Sequence, residues 1–579
     1  MLFKILAQYL QQIENVSARL SITEKLAELF KLLSVEEMGM IPYLIQGRIA
    51  PAYVGIEFGV AEKSVIKAAA LALGRDPKDF ARTVSKVGDL GTAIESERAQ
   101  FQSFDQEDLT ITQVFETFVQ ISSHTGEGSQ ETKASLIGLL FTKLDSLSCR
   151  YIARIPLGQL RLGASDVTII DALSWMLTGG KSLRPQIERA YQVRPDLSYI
   201  CQTIKRDGVK ALEKVGPVIG TPILMMRAER LSSGAEIIEK LGECVVEPKY
   251  DGLRLQIHIS QKSKVKSQKS PEVHIFTRGL EDATHMYPDI VKAVIEELDC
   301  DEAIIEGEAL GYDHENDRFL SFQETIQRKR KHDVEEAALR IPLRLMAFDV
   351  LYVDGQSYIA KSLTERRAKL AKLLAKKAKS PTIVMAPETI TSDPAVVESL
   401  FDTYVTDGLE GIMAKKLADP YKPGAREYSW VKLKKSYSEK VNDTIDCVVM
   451  GFDQGKGKRA AFGIGAVLVG IYDSTNERFL TLAKIGTGMT DEEWKQIRAK
   501  CKVQSANTMP AEYEVKKEVY PDAWVEPSIV LEIRCDELTE SKLHSSGWSM
   551  RFPRLEKFRD DKKPTDATSL TEIKKMVKK

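Results

Sequence analysis

The chain has 579 residues, of which 43% are hydrophobic and 28% charged; it is globular rather than disordered, and its length calls for about three or four domains. Lysine and arginine total 82 against 83 acidic residues, a formal net charge of -1, so nucleic acid is not coated by bulk charge and any phosphate-binding surface has to be built locally. No apolar run is long enough to span a bilayer, and the seven cysteines include no Cys-x-x-Cys pair, which argues against a membrane span, a disulfide framework or a zinc site.

The opening Met-Leu-Phe-Lys-Ile-Leu carries helical periodicity instead of a signal-peptide core, so an intracellular protein is expected, cytoplasmic in a prokaryote. Residues 1–216 read as successive helices. Ser21 to Glu24 can form a capping box, with Leu26, Leu29, Phe30, Leu32 and Leu33 supplying an apolar face. Residues 47–51 and 122–128 break the run as helix connections do. In 154–164, Arg-Ile-Pro-Leu-Gly-Gln-Leu-Arg-Leu-Gly-Ala, basic residues flank a glycine-bearing turn just ahead of a helix-like stretch. Backbone amides beside arginine make phosphate-binding places, although Arg161 as a solvated cap is the alternative.

The closely spaced prolines of 217–222 mark a domain boundary. Over 217–437, strand-like runs at 273–277, 303–305, 343–352 and 411–414 alternate with helical ones such as 363–377, the pattern of a two-sheet α+β domain. From 438 to 579 the pattern is mostly strand, at 447–451, 466–472, 479–485 and 529–534, with a helical insert at 491–500. A small β-barrel of the OB-fold type is expected, followed by a basic C-terminal helix or frayed tail at 569–579. The Gly-Lys-Gly-Lys-Arg loop at 455–459 either tracks a phosphate backbone through Lys456 and Lys458 or is a solvated loop.

The most informative stretch is 245–258, Val-Val-Glu-Pro-Lys-Tyr-Asp-Gly-Leu-Arg-Leu-Gln-Ile-His. A strand, a glycine-containing bend and a second strand are the natural reading; a first strand running straight through places Glu247, Lys249 and Asp251 on one side, with the lysine between two carboxylates. Alone, the string also fits a solvated surface hairpin. It is followed in order by Phe-Thr-Arg-Gly (276–279), Glu-Gly-Glu (306–308), Phe-Asp-Val-Leu-Tyr-Val-Asp-Gly (348–355), Glu-Gly-Ile-Met-Ala-Lys (410–415), Trp-Val-Lys-Leu-Lys (430–434), and Arg-Phe-Pro-Arg with Arg-Asp-Asp-Lys beyond it (551–562). With these blocks in this order, the chain resembles ATP-dependent DNA ligases of the archaeal and eukaryotic replicative type over nearly its full length.

That resemblance implies an all-α DNA-binding domain at 1–216, an α+β nucleotidyltransferase (adenylation) domain at 217–437 and an OB-fold domain at 438–579. It implies ATP as cofactor, nicked duplex DNA as substrate, a monomer, and a sliding clamp as a candidate recruiting partner. Lys249 becomes the nucleophile that takes AMP from ATP and passes it on, which splits one hard transfer into easier ones. An ordinary lysine has a pKa near about 10.4; Arg254, Arg278, Lys432 and Lys434 are candidates for the positive field that favours losing its proton. Glu306 and Glu308, two apart on a strand, share a face; the resemblance places Glu308 at the ribose and Glu410 at catalytic metal, with Glu308 a second metal candidate. Mg²⁺, with Mn²⁺ as a substitute, suits oxygen donors without a Cys/His cluster.

By position in the resemblance, Phe348 stacks on adenine, whereas packing in the core is the alternative for an aromatic in an apolar strand. Glu247, Arg254, Arg278, Lys432 and Lys434 complete the nucleotide site, and Arg551, Arg559 and Lys562 address the pyrophosphate. Leu555 and Lys557 stand where relatives often carry an aromatic and an arginine; Lys557 keeps charge but gives up a bidentate grip. Arg161, Gly163, Lys456 and Lys458 are the DNA-contact candidates. An RNA ligase or RNA-capping guanylyltransferase shares the lysine chemistry, but the long helical N-terminal region weighs against both, and the missing four-cysteine module weighs against an NAD-dependent ligase.

Overall fold

The computed structural model describes residues 1–100, 106–261, 271–330, 332–374, 381–434, 444–455, 463–486, 489–505, 508–535, 537–551 and 553–577. They form two compact units, Met1–Leu433 and Lys434–Lys579. No helix among the described residues is long and apolar enough to cross a membrane.

The first unit opens with helices from Phe3–Glu14 to Leu197–Asp207 that enclose one apolar core. Short polar side chains start them, because the first backbone N–H groups of a helix have no partner inside it. Ser34 with Glu37, and Thr110 with Gln113, form reciprocal capping boxes, while Asp76, Asp89, Asp145 and Asp196 cap with one carboxylate each. The expected box at Ser21 is not the start of its helix. That helix runs Arg19–Leu32 from Ala18, so Ser21 lies inside its first turn. Leu26, Leu29 and Phe30 are buried as expected, yet Leu32 is 58% exposed because the helical repeat carries it off the packed stripe.

Residues 217–222 form the connector to the second half of this unit, closed by a bridge between Val218 and Thr221. Two short antiparallel-rich sheets follow. One has the order β1-β12-β11-β2-β10, with β1 Arg227–Arg230, β2 Cys244–Lys249, β10 Thr389–Thr391, β11 Gly411–Lys416 and β12 Arg426–Lys434. The other has β4-β3-β5-β7-β8, with β3 Leu253–Ser260, β4 Glu272–Thr277, β5 Glu302–Asp313, β7 Leu343–Val353 and β8 Gln356–Ser357; β6 Arg318–Phe319 pairs with β5, and β9 Ile383–Met385 with β7. The outer face of each sheet is covered through its own apolar cluster, and Ile223, Met226, Ile304, Leu351, Tyr421 and Trp430 pack between them.

The first strand of the Lys249 hairpin ends at Lys249 itself. Asp251 therefore lies in the bend before β3, and the expected row of Glu247, Lys249 and Asp251 on one strand face is not formed. The Asp-Gly pair explains this: Gly252 approaches β5 so closely that a Cβ on it would sit 2.5 Å from the Ala309 carbonyl oxygen, and a tight bend of this kind ends strand geometry one residue earlier.

The second unit is strand-rich, as expected, with Ile445–Asp453, Ala466–Asp473, Arg478–Ile485 and Val530–Arg534 among its strands. Along Ile445–Asp453, Cys447 and Val449 enter one apolar cluster and Val448 and Met450 another, the period-two alternation of a strand buried on both faces. The helix Asp491–Lys500, capped by a Thr490–Glu493 box, adds Trp494 and Ile497 to the first cluster. The helix Leu570–Val577 seats Ile573 there as well.

Gly451 tests this packing. A Cβ there would lie 2.5 Å from Pro521 Cγ and 2.7 Å from the Ala523 carbonyl oxygen, so Gly451→Ala is expected to cost about 1–3 kcal/mol through overpacking. Thermal and denaturant unfolding of the full chain would read this as an earlier transition; an unchanged transition would contradict the close approach.

Candidate active site

A cleft of about 180 Å³ opens between the two sheets of the first unit. Lys249 reaches it from the end of β2, Arg254 from β3, Glu308 from β5, Phe348 from β7 and Lys432 from β12, with Arg278 entering from the turn after β4. The ammonium of Lys249 is ion-paired with Glu410, both side chains being 19% exposed. Pairing of β2 with β11 makes the contact: Gly411 is in register with Lys249, and the Glu410 N–H donates to the Lys249 carbonyl at 3.1 Å.

Arg227, Arg254, Arg278, Arg426 and Lys432 line the cleft as cations. Burial draws the Arg278 guanidinium below its usual range, and repulsion from Arg254, Arg227 and Arg426 draws it further. Among these cations stands Glu308, in register with Arg254 on the paired strand. Burial pushes the Glu308 carboxyl up to about 7; Glu410 and Asp251 add to this while Lys249 and Arg254 oppose it. Glu308 and Glu410 are thus electrostatically coupled oxygen donors beside Lys249. No group of three or more His, Cys, Asp or Glu able to hold a metal occurs among the described residues.

The floor is aromatic. Phe348 and Trp430 meet edge-to-face at 6.0 Å and 80°, with Lys415 Nζ 4.5 Å from the first ring centroid and 4.4 Å from the second. Phe348 owes its position to irregular pairing: Glu306 is in register with Asp349 and Gly307 with Ala347, so Phe348 is skipped. Bulges re-aim side chains in this way. Beneath the rings, Glu247 is 3% exposed and accepts ion pairs at 2.5 Å from both Arg367 and Lys415. Burial draws the Lys415 ammonium down, and Glu247 opposes that.

Lys249, Glu247, Arg254, Arg278, Glu308, Phe348 and Lys432 are therefore brought together as the sequence implied, with Glu410 beside them. Glu247 lines the cleft but its carboxylate is committed to two buried cations. Lys434, the last residue of β12, does not line the cleft and is the first residue of the second unit. Glu306 shares the strand face with Glu308 but is fully buried. In the second unit, Arg559 pairs with Asp446, Glu532 and Asp561, and Lys562 pairs with Asp446 at 2.5 Å. Arg551 ends the strand Trp548–Arg551. In the helical region, Arg161 and Gly163 both have positive φ (60° and 64°), and Arg161, half exposed, pairs with Asp89 at 3.3 Å. Lys456 and Lys458 lie outside the described residues.

Sequence reasoning assigned no role to Lys415, Trp430, Arg227 or Arg426. The first two stand inside blocks already singled out, and their spacing on adjacent strands was the available signal. Arg227 and Arg426 become neighbours only because β1 and β12 pair in parallel across some two hundred residues of chain, with these two in register; nothing local announces it.

Known proteins resemble this chain over its whole length. The pattern of the "ATP dependent DNA ligase domain" family matches residues 225–434, that of "DNA ligase N terminus" residues 2–174, and that of "ATP dependent DNA ligase C terminal region" residues 460–562. A "Probable DNA ligase" of Dictyoglomus turgidum is 42% identical over 586 aligned residues, covering 100% of this chain and 98% of the relative. A "DNA ligase" of Hyperthermus butylicus is 38% identical over 100% of this chain and 97% of its own. The solved structure titled "Pmar-Lig_PreS3" shares the fold at a TM-score of 0.56 and 16% identity, over 96% of this chain and 99% of that one.

The raised Glu308 carboxyl sets a pH dependence. Between its ordinary value of 4.5 and about 7 the folded state binds more proton than the unfolded state, so stability falls as pH rises through that window and levels off above it. Glu308→Gln, which does not titrate, is expected to remove this fall, on the order of 3 kcal/mol. Denaturant melts of both proteins from acid to neutral pH would show it, and parallel curves would contradict it.

Proposed function

The chain belongs to the ATP-dependent DNA ligase family, and from that premise we propose that Lys249 carries the AMP group in sealing nicks of duplex DNA. The Lys249 amine leaves Glu410, loses its proton and attacks the α-phosphorus of ATP; a phosphoramidate bond forms and pyrophosphate departs. The 5′-phosphate of the nick then displaces the lysine, giving a DNA-adenylate. Finally the 3′-hydroxyl, giving up its proton, attacks the phosphorus of the DNA 5′-phosphate; the new phosphodiester bond closes the backbone as the bond to AMP breaks and AMP leaves.

The cleft residues divide this work. Phe348 and Trp430 offer an apolar floor for a purine. Glu308, whose carboxyl burial pushes up to about 7, can meet a ribose hydroxyl. Arg254, Arg278 and Lys432 supply fixed positive charge where negative charge develops on the phosphate, without reorganisation at the moment of reaction. The observation that carries the reading is the pairing of Lys249 with Glu410 at the edge of a cleft lined by six further cations.

Mg²⁺ fits the donors present. Glu308 and Glu410 are hard oxygen ligands, and Mg²⁺ is typically held by one or two carboxylates together with substrate phosphates and water. When bound, it neutralises phosphate charge. Glu410 would help to hold it, and a carboxylate so engaged would no longer be the partner of the Lys249 ammonium.

The second unit is read as an OB-fold domain. Its Arg551, Arg559 and Lys562 are assigned to the pyrophosphate, for which Arg559 and Lys562 must leave their carboxylates. Arg161 and Gly163 of the helical domain, and Lys456 and Lys458, are assigned to the DNA backbone. An intracellular monomer recruited by a sliding clamp accords with this reading.

Incubation with α-labelled ATP and Mg²⁺ should label the protein covalently, and Lys249→Ala should show no label; a labelled variant would refute the assignment. Lys432→Met should slow labelling by about 10²-fold, the usual loss when a preorganised charge stabiliser is removed, and a normal rate would remove Lys432 from the phosphate site. Nicked DNA should be sealed in preference to nicked RNA, with affinity falling steeply as salt rises; a flat salt response would contradict backbone binding.

A further inference from the structure

We infer that Tyr421 and Gln256, neither of which lines the cleft, are positioning residues that set the guanidinium of Arg254 through the buried carboxylate of Glu306. The inference rests on the reading that Arg254 meets the phosphate of the nucleotide. Glu306 is 0% exposed and accepts from Arg254 Nη2 at 2.8 Å, Gln256 Nε2 at 3.0 Å and the Tyr421 hydroxyl at 2.9 Å. The backbone of Met226 closes a ring: its N–H donates to the Tyr421 oxygen at 2.8 Å, and its carbonyl accepts from Arg254 Nη1 at 2.6 Å. Arg254 and Tyr421 are thus each bound to both Glu306 and Met226.

Gln256 extends the ring into the connector. Its amide oxygen accepts from the Ile223 N–H at 2.7 Å, and its NH₂ donates to the Ile223 carbonyl at 3.1 Å. His258 Nε2 lies 3.0 Å from the same amide oxygen, and the Gly220 N–H points to His258 Nδ1 at 3.3 Å. Both contacts are met by one tautomer, with the proton on Nε2. Burial, with His274 adding to it, holds this imidazole neutral, its pKa drawn down to about 3. The next residue, Leu224, donates its N–H to the Gln192 carbonyl of the helical region at 2.9 Å. A hydrogen-bonded path therefore runs from the helical region along the connector to Arg254.

The physical reason for such a ring is the cost of a buried carboxylate. Glu306 needs every partner it has, because a buried charge left underpaired costs several kcal/mol; it cannot release Arg254 and keep its place. Two terminal nitrogens of Arg254 are spent in the ring. Its Nε–H is buried and has no hydrogen-bond partner among the described residues, while the side chain as a whole borders the cleft.

Tyr421→Phe is the direct test. It keeps the ring edge on Trp430, now 5.9 Å between centroids at 87°, and removes only the hydroxyl. The rate constant for lysyl-AMP formation at saturating ATP is expected to fall about tenfold, as misorientation does, with the KM for ATP little changed. In an Arg254→Gln background the same substitution is expected to change the rate by less than about twofold, since residues acting through one group are not additive. A wild-type rate for Tyr421→Phe, or an equal loss in both backgrounds, would overturn the inference. A wild-type rate for Arg254→Gln alone would instead remove the phosphate role of Arg254. Should Tyr421→Phe fail to fold, Gln256→Met is measured in the same two backgrounds with the same outcomes.

Discussion

The ion pair of Lys249 with Glu410 is the constraint on which the rest of the cleft depends. A lysine four-fifths buried needs a counter-charge, since desolvation disfavours an isolated ammonium. Glu410 supplies it from the turn into the neighbouring strand. The pairing keeps the amine at one defined place, at the rim of a site crowded with other cations. A chain with a net charge of -1 thereby presents a locally positive cleft, which focuses field on an anionic ligand far better than dispersed charge of the same sum.

Sheet architecture explains how residues so far apart in sequence converge. β2 and β11 sit inside one sheet, and β3, β5 and β7 inside the other, so their shapes are fixed by neighbours on both sides. Three of the cleft residues lie at strand ends or at irregularities: Lys249 ends β2, Arg278 follows β4, and Phe348 sits where the β5–β7 register slips. Rigid strands hold the buried ends of these side chains, and broken pairing aims them. Glu247 and Glu306 lie one layer deeper. Each anchors cations, Arg367 and Lys415 in the first case and Arg254 in the second, and so converts a buried negative charge into a fixed position for a positive one.

Much of this was legible in the chain. Alternating apolar residues located β3, β4, β7 and β11 to within a few residues, and the helix at 491–500 was found at both ends, because period and capping are local properties. The ordered blocks carried Lys249, Arg254, Arg278, Glu308, Phe348 and Lys432 into one site. Depth was not legible. Glu306 and Glu308 look alike at a spacing of two, yet only the cross-strand Gln256 and distant Tyr421 make the first a buried hub. The turn at Asp251 and the early start of the helix containing Ser21 were missed because close backbone approach and helix nucleation depend on neighbours elsewhere. Arg227 and Arg426 required knowledge of a parallel pairing that no short window contains.

The central question is which atom of the protein holds the nucleotide. Protein incubated with ATP and Mg²⁺, then digested and sequenced by tandem mass spectrometry, is expected to carry AMP on the peptide containing Lys249, at the Nζ nitrogen, in an acid-labile bond. An adenylate found on another residue, or absent from protein that still seals nicks, would contradict it.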